Sequence, residues 1–119
     1  RMLRGSVHIP QQASFFRAEL WPLVGPLDPE FYFAMDYDLW LRLARHGKFI
    51  YTPQRWANFR LHQAGKTQVS DDRCYPEMIR AARRLTGRPP LALIFRWYLR
   101  RAVYAWLPQR LRLWLRRSV

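Results

Sequence analysis

Cysteine is almost absent from this chain of 119 residues, because Cys74 is the only one. A single cysteine cannot form an intrachain disulfide, so stability has to come from a packed core rather than from cross-links. A reducing compartment fits this composition. No histidine lies near Cys74 in the sequence to activate it, so we predict a structural thiol rather than a nucleophile.

Long apolar runs are also missing. No stretch of about 18 uncharged apolar residues occurs, so the sequence does not predict a clean membrane span. Residues 1–19 contain no apolar run typical of a signal peptide. The chain begins with Arg1 rather than Met, and we expect a piece of a longer protein. Half of the residues are nevertheless hydrophobic and 16% are aromatic, which excludes a disordered chain and predicts a buried core.

Acidic residues are few and unevenly placed. Residues 1–72 hold nine Lys or Arg against seven Asp or Glu, a net charge of +2. Residues 73–119 hold twelve Arg against one Glu, a net charge of +11. Such a basic segment attracts nucleic acid, anionic lipid head groups or acidic partners, and composition does not choose among them. We therefore divide the chain into residues 1–88 and a basic amphipathic tail, residues 89–119.

Hydrophobic periodicity and the positions of Gly and Pro predict alternating helices and extended segments. Two helices are predicted in the first half: Glu19–Val24, and Asp36–His46, which Gly47 closes. Three are predicted in the second half. The first runs from Asp71 or Asp72 to Leu85 and is ended by Gly87, the second is Leu91–Leu107, and a shorter one follows Pro108. The predicted extended segments are residues 6–17 with a short buried strand at Phe15-Phe16, residues 48–51 and residues 54–62.

The pair Asp36 and Asp38 is the first candidate for chemistry. Residues two apart on a helix do not share a face, so one carboxylate should point into a cleft and the other elsewhere. A partly desolvated carboxylate at a helix N-terminus can take a proton from a hydroxyl nucleophile. The alternative is that both acids only stabilise the start of the helix.

His62 is the second candidate, at the end of an extended segment that enters a polar loop. A histidine there could bind a metal or a phosphate, and Arg60 and Lys66 would add positive charge for phosphate oxygens. The alternative is a solvated basic loop, because no second His or Cys lies at ligand spacing.

The basic tail is the third candidate. Its arginines alternate with aromatic residues: Trp97, Tyr98, Tyr104, Trp106 and Trp114. This composition is typical of helices that lie on membranes, and it also occurs in nucleic-acid binders and in helices that dock on another domain. We rank the membrane surface first, because Trp and Leu dominate where nucleic-acid binders carry more Lys and polar residues.

Four segments follow one another in the first part of the chain. They are Ile9-Pro10-Gln11-Gln12-Ala13-Ser14-Phe15-Phe16-Arg17, Val24-Gly25-Pro26-Leu27-Asp28, Tyr32-Phe33-Ala34-Met35-Asp36-Tyr37-Asp38-Leu39-Trp40-Leu41-Arg42-Leu43, and Phe59-Arg60-Leu61-His62 with the loop to Lys66-Thr67. Taken in this order, they resemble the second half of bacterial family 2 glycosyltransferases with the GT-A fold, over about residues 7 to 68. The resemblance implies an α/β fold class, of which this chain would be an α+β fragment.

The resemblance implies roles for particular residues. Asp36 stands where the family has its general base, with Met35 in place of the family's preceding Glu. Asp38 and Arg42 would be supporting residues that form an i, i+4 pair. The remaining positions divide among three parts of the family's site. Gly25 and Asp28 match an acceptor turn, Gln11, Gln12 and Ser14 line the sugar pocket, and His62 with Arg60 and Lys66 lies near the metal and pyrophosphate.

The resemblance also implies an activity. The enzyme would transfer a sugar from a nucleotide-diphosphate sugar to a hydroxyl of a glycan or lipid-linked acceptor, with inversion, in cell-surface polysaccharide or glycolipid synthesis. A divalent metal, Mg or Mn, is expected, with its main ligands in a nucleotide-binding half upstream, so this chain alone should be inactive. Asp36-Tyr37-Asp38 spells the family's Asp-x-Asp metal motif, but it opens a helix, and we reject that interpretation.

The expected location is the cytoplasm, at the periphery of the inner membrane. A second hypothesis from the residues alone is a non-catalytic basic module that binds a membrane surface or nucleic acid. We rank nucleic acid below membrane as the partner, and we rank this hypothesis below the glycosyltransferase because it does not explain the order of the four segments.

Overall fold

A computed structural model describes residues 2–4, 9–58 and 71–107, and these residues form helices joined by turns and extended connections. The α-helices are α1 (Trp21–Val24), α2 (Met35–Leu43), α3 (Asp71–Thr86) and α4 (Leu91–Trp106). Short 3-10 turns occur at Met2–Arg4, Gln11–Ala13 and Ala18–Leu20, the last leading directly into α1.

Helix α2 is the centre of the fold, because it is buried on two sides. Its first side packs on α3 in a cluster made of Phe31, Ala34, Tyr37, Leu41, Ala81 and Ala82. Its second side packs on α1 in a cluster made of Val24, Leu39, Trp40 and Leu43, which Ile9 and Leu20 extend. A short helix would not be stable alone, so burial on both sides holds α2 in place.

Two glycines end helices as the sequence predicts. Gly25 follows α1 with φ 73°, and Gly87 follows α3 with φ 68°, both in the region that residues with a Cβ disfavour. Gly47, by contrast, was predicted to close the helix that begins near Asp36. That helix ends earlier, at Leu43, and residues 44–46 continue it only as a turn, with the Gly47 amide 3.2 Å from the Leu43 carbonyl oxygen.

The predicted α/β fold class is not supported in the residues that the structure describes, since these contain helices and no strand. Residues 48–51 were expected to form one, yet Ile50 and Tyr51 are 87% and 88% exposed. The local preference for extended backbone is present, but a strand also needs a neighbouring strand to accept its hydrogen bonds. The predicted extended segment 54–62 is described only to Asn58, again without strand pairing.

The predicted buried strand at Phe15-Phe16 is also wrong. Phe15 is 79% exposed and packs edge-on against Trp56, with ring centroids 5.8 Å apart. Phe16 stacks on Trp21 at 6.1 Å. Hydrophobicity predicted burial here, but the two rings pack against other exposed aromatic side chains at the surface.

The helix predictions in the second half are confirmed, because α3 and α4 lie within one residue of their predicted C-terminal ends. Among residues 2–4, 9–58 and 71–107, no helix has the length and apolar composition of a transmembrane span. The helix predicted after Pro108 lies outside the described residues.

Candidate functional site at the N-terminus of helix α2

The start of α2 is stabilised by a residue from another helix. Ala34 is the N-cap residue, and its side chain cannot accept a hydrogen bond from the free amides of the first turn. Glu77 of α3 acts directly before that turn: its Oε2 accepts hydrogen bonds from the amides of Phe33 at 2.7 Å and of Ala34 at 2.9 Å. A carboxylate at this position also interacts favourably with the helix dipole.

Glu77 is the site residue that the sequence interpretation missed. Two signals could have indicated it. An alanine stands at the N-cap, which leaves amides that need an acceptor from elsewhere in the chain. Glu77 is also the one acidic residue in the strongly basic stretch 73–119, so a specific partner for it was to be expected.

Asp36 is the second residue of α2 and is half-buried. Its Oδ1 accepts a hydrogen bond from the Tyr37 amide at 2.7 Å. Both Asp36 and Glu77 act electrostatically on the same thiol, that of Cys74, so two carboxylates lie close to this end of the helix. The predicted placement of Asp36 at a partly desolvated helix start therefore agrees with the structure.

Cys74 is half-buried and packs against the α2–α3 cluster. Burial raises the pKa of its thiol to about 11, and the negative charges of Asp36 and Glu77 act in the same direction. A neutral thiol is a poor nucleophile, so the structural role predicted for Cys74 fits its surroundings.

Tyr37 of α2 contacts both the core and the Met2–Arg4 turn. Its ring is buried in the α2–α3 cluster and its hydroxyl donates to the Met2 carbonyl oxygen at 3.1 Å. Burial raises the pKa of the phenol to about 12, with a smaller contribution from Cys74. The neutral phenol thus ties the N-terminal turn of the chain to α2.

Asp38 and Arg42 form the i, i+4 pair that the sequence predicts. Asp38 is only 6% exposed, and Arg42 Nε lies 2.9 Å from its Oδ2. Arg42 also donates through Nη1 to the carbonyl oxygens of Val24 and Gly25. The pair therefore links α2 to the turn that follows α1, and the Asp38 carboxylate is already occupied.

Asp28 is held within the same turn. Its Oδ1 accepts a hydrogen bond from the Glu30 amide at 3.0 Å, and its Oδ2 pairs with Arg84 of α3. The backbone hydrogen bond from Glu30, and then the Arg84 guanidinium, hold the pKa of Asp28 below its ordinary value. With Arg42 at one end and Arg84 at the other, the turn is fixed to two helices.

An open cleft of about 670 Å³ lies between this turn, α2 and α3. Arg45 and Arg84 line it together with Asp28, Asp38 and Arg42. Asp36 does not line it. The carboxylates of Asp28 and Asp38 are engaged with arginines, so the size of the cleft alone does not make it the place where Asp36 would act.

The residues expected in the sugar pocket lie in the segment that precedes α1. Gln11 and Gln12 are exposed in a 3-10 turn, and the Ser14 hydroxyl donates to the Pro10 carbonyl oxygen at 2.6 Å. Ile9, which precedes them, packs on the α1–α2 cluster. The structure thus positions the start of this segment against α2 and gives Ser14 a local bond.

His62, Arg60 and Lys66, expected near a metal and a pyrophosphate, lie outside the described residues. Within ranges 2–4, 9–58 and 71–107, no group of three or more His, Cys, Asp or Glu could hold a metal ion. The expected divalent metal stays a prediction, because its main ligands were expected upstream of these residues.

No protein-family model, no curated protein and no solved structure matches this chain.

Proposed function

We propose that this chain is the acceptor-side part of an inverting family 2 glycosyltransferase of the GT-A fold, in which Asp36 is the general base. The sequence support is the resemblance of four segments in order. The structural support is the contrast between the two acids of α2, because Asp38 is buried and paired with Arg42 whereas Asp36 is half-buried. This contrast is the observation that carries the choice of Asp36.

The surroundings of Asp36 suit a base of fixed position. Glu77 binds the backbone amides of Phe33 and Ala34, directly before the helical turn that contains Asp36. Met35 packs into the α2–α3 core, so the backbone on either side of Asp36 is restrained. A catalytic group held in this way loses little freedom when a substrate binds.

The proposed reaction has one proton transfer to the protein. The Asp36 carboxylate takes the proton of the acceptor hydroxyl, and the resulting oxygen attacks the anomeric carbon of the donor sugar. The new C–O bond forms as the bond to the nucleotide diphosphate breaks, and the diphosphate leaves with the electron pair from the opposite face. The anomeric configuration is therefore inverted.

The exposed segment at residues 49–51 is compatible with the same proposal. Phe49, Ile50 and Tyr51 have the composition of a strand, and their side chains are exposed where no neighbouring strand is described. In the GT-A arrangement, the nucleotide-binding half would supply the neighbouring strand of a shared sheet.

The test uses the product of the complete reading frame, since the resemblance places the nucleotide-binding half ahead of these residues. Sugar transfer is measured from UDP-, GDP- and dTDP-sugars to lipid and glycan extracts of the source cells. Asp36→Asn should lower kcat about 100-fold or more, the usual loss of a general base, while nucleotide binding measured by calorimetry persists. Glu19→Gln, an exposed acid in the turn before α1, is the matched control and should retain activity.

Two results would contradict the proposal. Transfer by Asp36→Asn at the rate of the unmodified protein would show that Asp36 is not the base. Absence of nucleotide-sugar binding and turnover in the unmodified protein would remove the glycosyltransferase assignment itself.

A further inference from the structure

Helix α4 exposes an apolar stripe along its whole length. Trp106 is 90% exposed, Leu91 71% and Phe95 69%, and two more residues of the stripe, Tyr98 and Leu99, are also exposed. Residues 91, 95, 98, 99 and 106 follow the i, i+4, i+7, i+8 and i+15 spacing of a single helical face. Apolar residues arranged on one exposed face of this kind indicate an interaction surface.

The opposite face of α4 packs against the rest of the fold. Leu93 is fully buried, and Ile94 and Trp97 are half-buried. This inner face packs on α3 and on the Met2–Arg4 turn. The exposed stripe is therefore a second apolar face, additional to the one that attaches α4 to the fold.

Arginines border the stripe on both sides. With 100° per residue, Arg96 falls beyond the edge marked by Leu99, and Arg101 falls beyond the edge marked by Tyr98. Arg96 and Arg101 are exposed, and the Arg101 guanidinium lies over the Trp97 ring at 5.3 Å. Residues 88–107 contain four arginines and no acid, so α4 itself contributes only positive charge beside the stripe.

We infer that α4 lies flat on an anionic lipid surface, with its exposed stripe in the acyl boundary and Arg96 and Arg101 at the head groups. At 1.5 Å per residue, its 16 residues extend roughly 24 Å, which suits a helix parallel to the surface. Arginine stems can pack along the apolar layer while their charges reach lipid phosphates. Each basic residue near such a surface adds about 1 kcal/mol of attraction, or about fivefold in binding.

Charge complementarity favours a lipid surface over three other partners for the stripe: a second copy of the chain, the segment 108–119 and nucleic acid. A second copy of the chain would bring the same cationic border to the stripe, and like charges oppose that contact. The segment 108–119 carries four arginines and no acid, so it has the same disadvantage. Nucleic acid matches the arginines but offers no apolar layer for Leu91, Phe95 and Leu99, whereas an anionic membrane provides both components.

This inference does not depend on the proposed glycosyltransferase role, because binding is measured without donor or acceptor. The experiment is flotation of the 119-residue chain with phosphatidylcholine vesicles, with and without phosphatidylglycerol. We expect binding only when phosphatidylglycerol is present, and weaker binding as salt rises.

Two pairs of variants separate the apolar and the charged contributions. Phe95→Ser with Trp106→Ser should reduce binding at least about tenfold, because two large side chains no longer enter the acyl boundary. The control Ile50→Ser with Tyr51→Ser removes equally exposed side chains outside α4 and should bind like the unmodified chain.

The charge variant Arg96→Gln with Arg101→Gln should reduce binding about tenfold or more, in line with two lost lipid contacts. Its control is Arg73→Gln with Arg83→Gln, which removes two exposed arginines from α3 and should change binding less. Circular dichroism verifies that each variant keeps its helical content.

Four results would overturn the inference. In flotation, they are equal binding of the chain to neutral and anionic vesicles, no binding to either kind of vesicle, and undiminished binding by the variant that lacks Phe95 and Trp106. The fourth, in sedimentation, is dimerisation that depends on the stripe in a chain that does not bind vesicles. Binding of a DNA or RNA duplex that displaces vesicles and survives the loss of Phe95 and Trp106 would assign the surface to nucleic acid instead.

Discussion

The Glu77 carboxylate accepts a hydrogen bond from the Ala34 amide at 2.9 Å, across 43 positions of sequence. The same oxygen accepts the Phe33 amide, so one side chain of α3 satisfies two amides at the start of α2. The contact connects the two helices of the main core cluster at the end where Asp36 lies. It also makes α3 part of the candidate site, although the motifs that suggested the site all precede α3.

Glu77→Ala should therefore destabilise the fold by about 1–3 kcal/mol, because two partly buried amides lose a charged acceptor. The measurement is urea unfolding followed by circular dichroism. Glu30→Ala is the matched control. The Glu30 carboxylate is exposed and its Oε2 lies 3.9 Å from Arg80 Nη1, so its loss should change stability by less than about 0.5 kcal/mol. Equal effects of the two variants would contradict the capping role.

Gly25→Ala should destabilise by about 1–3 kcal/mol, because φ 73° with ψ −179° is a conformation nearly restricted to glycine. Space is not the reason, since the nearest atom to an added Cβ is an Arg42 nitrogen at 4.0 Å. Gly47→Ala is the control: Gly47 lacks a positive φ and an added Cβ would meet open space, so stability should stay equal or rise slightly. Thermal melts of both variants compare them directly.

Arg42→Ala should destabilise more than other arginine substitutions, because it leaves the buried Asp38 carboxylate unpaired and frees the turn at Val24 and Gly25. The free energy of unfolding should fall by about 3 kcal/mol. This is near the lower end of the cost of breaking a buried ion pair, because the Arg42 side chain remains 22% exposed. The exposed Arg17→Ala serves as the control. A double-mutant cycle with Asp38→Asn measures the coupling, and a coupling near zero would contradict the pairing.

The stability of the fold should fall as the pH rises from 9 to 11. The pKa of Cys74 is raised from its ordinary 9.0 to about 11, so in this range the folded chain holds a proton that the unfolded chain has released. Excess proton binding by the folded state makes the free energy of unfolding decrease with pH. Tyr37, whose pKa is raised from 10.0 to about 12, extends the decrease toward pH 12.

Cys74→Ala should flatten this pH dependence between 9 and 11 when urea unfolding is repeated at each pH. The thiol itself should react slowly with a disulfide reagent at pH 8 in the folded chain and much faster in denaturant. Equal reaction rates in the two conditions would show that the thiol is neither buried nor raised in pKa.

Local features of the fold were predictable from the sequence. The helix ends at Gly25 and Gly87 depend on backbone conformations that glycine favours, and the Asp38–Arg42 pair depends only on i, i+4 spacing. The helix ends and the ion pair both depend on residues within one or two helical turns of each other. The strands expected at residues 15–16 and 48–51 failed because pairing depends on a neighbour that local preference cannot supply.

The positions of α1, α3 and α4 follow from local sequence, since apolar spacing and helix-ending residues act over a few positions. Three features depend instead on packing between distant segments: the bond from Glu77 to the start of α2, the burial of Asp38 beside a half-buried Asp36, and the choice of the exposed face of α4. Apolar residues occur on both faces of α4, so periodicity could not say which face packs. Burial depends on which surfaces meet in space, and residues far apart in the chain determine that.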